Sequence, residues 1–257
     1  MPLIALRDVT FAYPGKPPIF ERFGWRVEQG EVWTVLGPSG CGKSTLLMLL
    51  AGLARPQQGM ITIAGDRLPR PRPRTGLVLQ DYGLLPWATV RENVSLGLRI
   101  RQFYGPDGRH VPAGVRIADG DAETLTARWL ARLGLEAIAE QYPGQISGGQ
   151  RQRVAIARTL ALTPDLLLMD EPFSALDAPT RESLQQLTLD LCEEAGLTVV
   201  LVTHNIEEAI FVGQHVLRLA TPPNTALTVV SNPHHVDTEY RRSVEYAAAC
   251  AHLRQGL

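Results

Sequence analysis

Residues 37–47 read GPSGCGKSTLL, and their surroundings decide the fold. Upstream, EVWTVL (31–36) has the apolar, β-rich character of a buried strand; downstream, KSTLLMLLAGL (43–53) reads as helix. The glycines therefore lie inside a strand-to-helix turn. Similar short apolar runs recur as GLVLQ (76–80), LLLMD (166–170), TVVLVT (198–203) and VLRLA (216–220), with helical stretches between them. That alternation predicts an α/β core with a mostly parallel sheet covered on both faces. IALRDVTFAY (4–13) and ITIAG (61–65) read as antiparallel strands at one end of it, an antiparallel β edge subdomain. Between 89 and 160 the pattern is helical and predicts a helical subdomain interrupting the core.

At 257 residues the chain can bury a full core in one large domain, or in one domain with a subdomain. A net charge of −1 leaves no basic field of the kind that holds nucleic acid by its phosphates, so nucleic acid is not an expected partner. The three cysteines, Cys41, Cys192 and Cys250, are odd in number and scattered, which fits a reducing compartment rather than a disulfide framework. The first residues lack the charged and apolar regions of a signal peptide. No segment approaches the roughly 20 apolar residues of a membrane span. The expectation is a cytoplasmic protein that needs a partner to hold it at any membrane. YGPDGRHVPAGVRIADGD (104–121) reads as an exposed, passive insertion, and RLPRPRPRTG (67–76) as a solvated connector.

The opening stretch fits G-x-x-x-x-G-K-[ST] through Gly37, Gly42, Lys43 and Ser44 in the strand-turn-helix context that this pattern requires. Glycines let the backbone wrap closely round phosphate oxygens at the positive end of a helix. Lys43 is then placed to reach the β- and γ-phosphates of a nucleotide, and the Ser44 hydroxyl to ligate Mg²⁺. LLLMDEP supplies the second metal anchor: Asp170 ends the strand, and Glu171 follows as the residue to orient or deprotonate the attacking water. ISGGQ (146–150) opens a helix with Ser147 and two glycines, a second anion-seeking N-terminus.

Taken together these motifs resemble the ATP-binding subunit of an ABC transporter, with ISGGQ similar to that family's LSGGQ signature. The resemblance runs from about residue 3 to 219. It implies a P-loop NTPase core occupying 1–230, with its helical subdomain at about 89–160, followed by a C-terminal helical tail at 231–257. It also implies ATP and Mg²⁺ as ligands. On the resemblance, the expected nucleotide-binding residues are Tyr13, stacked on adenine or else packed near the sheet edge, the loop residues Gly37, Pro38, Ser39, Gly40, Cys41, Gly42, Lys43, Ser44 and Thr45, and Gln80. Ser147, Gly148, Gly149 and Gln150 are expected to complete the site of the opposite subunit. The family pattern also implies Ser44, Gln80 and Asp170 for the metal, Glu171 and His204, the latter on the γ-phosphate, for catalysis, and SALD (174–177) for passing information across the dimer. It implies that two chains clamp two ATP molecules head to tail.

DYGLLPWATVRENV (81–94) resembles importers of the nitrate, sulfonate and taurine type, a group that includes thiamine-precursor systems. That resemblance implies a permease dimer, a second copy of the chain, an extracytoplasmic substrate-binding protein, and a peripheral position on the cytoplasmic face of the cell membrane. An exporter or lipoprotein-release ATPase shares every nucleotide motif, and only the segment after Gln80 argues against it. A non-transport ABC ATPase acting on DNA would carry a long coiled-coil insertion, absent here. Leu84, Leu85 and Trp87 read either as an exposed contact patch or as packing inward. Cys41 reads either as a thiol activated by the helix N-terminus and Lys43, open to a maleimide and protected by MgATP, or as buried and inert. The arginines of RQRVAIAR (151–158) read as structural, a polar face on a helix whose Val154, Ile156 and Leu160 pack inward.

Overall fold

The computed structural model of the chain describes residues 2–118, 120–237 and 239–255. In chain order the strands are β1 (Ile4–Phe11), β2 (Phe20–Val27), β3 (Val32–Leu36), β4 (Gln58–Ile63), β5 (Asp66–Arg67), β6 (Thr75–Val78), β7 (Leu166–Asp170), β8 (Thr198–Thr203), β9 (His215–Arg218) and β10 (Thr228–Ser231). The α-helices are α1 (Lys43–Leu50), α2 (Val90–Tyr104), α3 (Asp121–Arg132), α4 (Gly148–Leu160), α5 (Ala178–Glu194), α6 (Ile206–Val212) and α7 (Val244–Gln255). They divide between two compact units: Met1–Pro71, Leu168–Glu171 and Leu189–Leu257 in the first, Arg72–Leu167 and Pro172–Thr188 in the second.

The first unit holds two sheets. Its larger one runs β10-β9-β3-β8-β7, with β3 parallel to both β8 and β9. The apolar runs of β3 and β8 are buried on both faces, as a covered parallel sheet requires. β10 is antiparallel to β9 and closes one edge. β1 and β4, read from the sequence as antiparallel strands of an edge subdomain, form with β2 and β5 a second, antiparallel sheet ordered β2-β1-β4-β5. The reason is visible in β2, FERFGWRV, whose Phe20, Phe23, Trp25 and Val27 are buried between exposed polar residues. One-faced burial suits antiparallel pairing.

Register positions the site. Leu36 at the end of β3 stands opposite Thr203 at the end of β8, so the loop beginning at Gly37 and residue His204 leave the sheet side by side. Glu171 donates its N–H to the Val202 carbonyl at 2.9 Å, which carries the end of β7 to the same edge. Three strands thus deliver their next residues to one place, the carboxyl ends of a parallel sheet.

In the second unit, Thr89 caps α2 in a reciprocal pair with Glu92, and Val90, Val94 and Leu98 bury one face of the helix. Arg101 on the same helix is buried, donating to the carbonyls of Leu162 and Pro73 at 2.7 Å each. β6 lies beside the start of β7, where Asp165 N–H reaches the Arg74 carbonyl, and Arg72 forms an ion pair with Asp165. The strand ends at Val78, two residues before Gln80, which sits in the following turn. The insertion after α2 is largely exposed but built: the Asp107 carboxylate accepts the N–H groups of Arg109, His110 and Val111, and Val111 is buried. Among the described residues no helix is long and apolar enough to cross a membrane.

Candidate active site

The loop between β3 and α1 is shaped by what surrounds it. A Cβ at Gly37 would lie 2.6 Å from the Leu219 carbonyl oxygen and 2.7 Å from Cys41 Sγ. At Gly42, whose φ is +107°, it would meet Ile19 Cγ2 at 2.4 Å. Both glycines are therefore demanded by the protein's own packing as much as by a ligand. Lys43 is 8 % exposed and turns back over the loop, its Nζ donating to the carbonyls of Gly37 at 2.7 Å and Pro38 at 3.0 Å. The two carbonyls hold the ammonium against the loop. Tyr13 lies next to the first turn of α1, its hydroxyl 3.3 Å from Thr45 Oγ1 and its ring edge-on to Phe11. At 41 % exposure the ring offers an open face.

The acidic side of the site follows from β7. Burial pushes the Asp170 carboxyl up, while a hydrogen bond from Ser44 and the Lys43 charge pull it down. The Ser44 hydroxyl and the Asp170 carboxylate, from different elements, are thus hydrogen-bonded to each other. Glu171 bends out of the strand with φ of +45°, a left-handed conformation rare for a glutamate. Its Oε2 lies 3.0 Å from Nδ1 of His204, which follows β8. Among the described residues no group of three or more His, Cys, Asp or Glu side chains could cage a metal ion. One hydroxyl and one carboxylate suit Mg²⁺, which keeps waters and takes phosphate oxygens for its other positions.

In the second unit, Ser147 caps α4: its Oγ accepts from Gln150 N–H at 3.2 Å and its own N–H donates to Gln150 Oε1 at 2.8 Å. Gly148 and Gly149 form the first turn, and a Cβ at Gly149 would strike Thr180 Cγ2 at 2.7 Å. Val154, Ile156 and Leu160 are buried. The arginines do more than line a polar face. Arg158 donates to the carbonyls of Gly83 at 2.7 Å and Tyr82 at 2.9 Å, in the turn just after Gln80, and Arg151 lies over the Tyr82 ring. The helix that begins at Ser147 is therefore tied to the turn that follows Gln80. Beyond it, Trp87 is 74 % exposed and Leu84 and Leu85 are half-buried. Asn93 of α2 braces that loop, accepting from Leu85 N–H and donating to the carbonyls of Leu85 and Ala88.

Sequence reasoning missed Asn224. Buried in the turn between β9 and β10, it donates to the Cys41 carbonyl at 2.9 Å and steadies the phosphate loop from behind. Nothing in its Pro-Pro-Asn-Thr setting signals that contact, which spans the chain. The reactive reading of Cys41 is overturned. The thiol is buried, and desolvation raises its pKa against the partial offsets of the Lys43 charge and backbone N–H. Burial pushes Cys192 up to about 12, and Cys250 is also raised chiefly by burial. In a maleimide time course on the native chain, Cys41 should stay unmodified with or without MgATP and react once the protein is unfolded; fast, nucleotide-protected labelling would restore the reactive reading.

The profile of the family described as ABC transporter matches residues 20–174. The taurine import ATP-binding protein of Escherichia coli (strain K12) is 45% identical over 215 residues, 84% of this chain and 78% of the relative. The Shigella flexneri protein of the same name is 44% identical over the same shares. Among solved structures, the dimeric post-hydrolysis state of the ATP-binding cassette MJ0796 bound to ADP and Pi is 30% identical. It superposes with a TM-score of 0.73 over 89% of this chain and 98% of that one. A second dimeric structure of that bacterial ABC transporter cassette is 35% identical, with a TM-score of 0.70 over 84% and 94%.

Proposed function

The chain belongs to the ABC transporter family as an ATP-hydrolysing subunit coupled to solute import, and from that premise we propose that it powers uptake of a small sulfonate such as taurine. What supports the cargo is the taurine-import name of the relatives; what supports coupling is Trp87, exposed on a loop braced by Asn93 immediately beyond Gln80. The ATPase works with a permease and with a second copy of itself. In our reading an extracytoplasmic substrate-binding protein delivers the cargo, and the chain sits on the cytoplasmic face of the membrane. Residues 1–230 form the ATP-binding domain, its helical subdomain at about 89–160, and 231–257 the tail.

In this reading Tyr13 stacks on adenine and the loop from Gly37 to Thr45 wraps the phosphates. Lys43 exchanges the Gly37 and Pro38 carbonyls that hold it now for the β- and γ-phosphate oxygens. Ser44, Asp170 and Gln80 would hold Mg²⁺, which would supply charge stabilisation to the γ-phosphoryl group. Glu171 accepts the proton of the attacking water, and His204, on the other side of the Glu171 carboxylate, steadies it and faces the γ-phosphate. Ser147, Gly148, Gly149 and Gln150 of the opposite subunit close the site. Positioning and charge stabilisation carry most of the catalysis.

The experiment is uptake of labelled taurine in cells that lack their own system and carry this chain with its neighbouring permease and binding protein. Uptake abolished by excess sulfonate but not by nitrate or a thiamine precursor is the expected outcome; the reverse pattern of competition overturns the cargo. In the same assay Trp87→Ala should cut uptake or separate it from hydrolysis, since an aromatic anchor at a contact is worth about 2 kcal/mol or more. ATP affinity of the isolated subunit should hold. Unchanged uptake and assembly would remove Trp87 from the coupling surface.

A further inference from the structure

α6 is only seven residues long and starts two residues after His204. A helix that short does not hold its own direction in water. Its first turn is capped by the Asn205 side chain, β3 supports it through Thr34, whose hydroxyl donates to the Ala209 carbonyl, and further contacts come from the C-terminal segment. Asn232 donates to the carbonyls of Ile210 and Gly213, and Val236 N–H to the Phe211 carbonyl. The Arg241 guanidinium lies 4.6 Å over the Phe211 ring. From α7, Tyr246 donates its hydroxyl to the Glu207 carbonyl at 2.7 Å, and Arg254 pairs with the Glu207 carboxylate at 2.9 Å.

The apolar face of α7 joins the core beneath α6. Tyr246, Cys250 and Leu253 share one buried cluster with Ile206, Ala209 and Ile210 of α6 and with Leu36, the residue that precedes Gly37. α7 thus packs against the element that follows His204, and α6 in turn packs on the strand that launches the phosphate loop.

We propose that the C-terminal segment is a positioning device: Tyr246 and Arg254 hold α6 by Glu207 and so keep the His204 imidazole against Glu171. The inference rests on His204 and Glu171 being the hydrolytic pair. The test uses the full chain with Tyr246→Phe and Arg254→Gln, alone and together. The first keeps the ring in its packing and the second changes an exposed side chain, so neither threatens folding. Losing one hydrogen bond and one ion pair should lower kcat about fivefold, with KM for ATP and nucleotide affinity unchanged. The His204 ring signals in imidazole ¹⁵N spectra, assigned by their loss in His204→Gln, should shift in the same variants. Glu245→Ala, on α7 but outside these contacts, serves as the control and should shift nothing.

Parent kcat in the double variant, with His204→Gln impaired, overturns the tail's role and leaves the hydrolytic pair standing. A fall in kcat with unmoved His204 signals also overturns it, because the tail would then act elsewhere. If His204→Gln itself turns over ATP at the parent rate, the underlying assignment fails and takes this inference with it.

Discussion

Glu171→Gln is expected to slow ATP turnover by about a hundredfold to ten-thousandfold, the range for removing a positioned general base. The amide keeps the size and polarity of the side chain but cannot take a proton from water. It can still accept a hydrogen bond from the His204 ring, so the local geometry, including the 3.0 Å approach of residue 171 to His204, has reason to survive. Lys43, the loop and Ser44 are untouched, and ATP binding should persist. With binding intact and hydrolysis blocked, the ATP-bound dimer has no exit and should accumulate. Size exclusion with and without MgATP, beside a phosphate-release assay, checks both halves. A variant that stays monomeric with ATP and hydrolyses at the parent rate would show that Glu171 is not the base.

Lys43→Ala should fail one step earlier. The ammonium is buried and already held over the loop by two carbonyls, so little ordering remains to be done when phosphates arrive. Truncating one partner of a desolvated charge-assisted contact costs about 2–5 kcal/mol, which is about thirtyfold to several thousandfold in nucleotide affinity. Lys43→Arg keeps the charge but replaces a compact ammonium with a planar fork that cannot sit between the same two carbonyls, and should fall between the two. Fluorescent-nucleotide titration gives the affinities. Parent-like binding by Lys43→Ala would refute the phosphate-loop assignment.

What could be read from sequence was what lies close together along the chain. The loop at 37–45, the adjacent Asp170 and Glu171, and the helix start marked by Ser147 and two glycines are each written within a few residues, because a turn or a helix start is a local event. The parallel core was legible for a related reason: doubly buried strands are continuous apolar runs. The rest depends on which distant segments meet. Asn224 and the Cys41 carbonyl are 183 positions apart, and Tyr246 and Glu207 are 39 apart. The helix-terminus argument for Cys41 was sound locally and lost to desolvation by neighbours that sequence does not place beside it. Arg158 looked like one more polar residue on a helix because the Tyr82 and Gly83 carbonyls that it holds are 76 and 75 positions away.

The left-handed backbone at Glu171 sets a trap for anyone breeding a hardier version of this protein. Glycine and asparagine rest more easily in that conformation, and relieving it is worth of order 1–3 kcal/mol. Neither carries a carboxylate. Libraries ranked by survival of heating will therefore drift, at this position, towards durable proteins that no longer work, and endurance ceases to be a proxy for merit where the chain pays for its chemistry with discomfort.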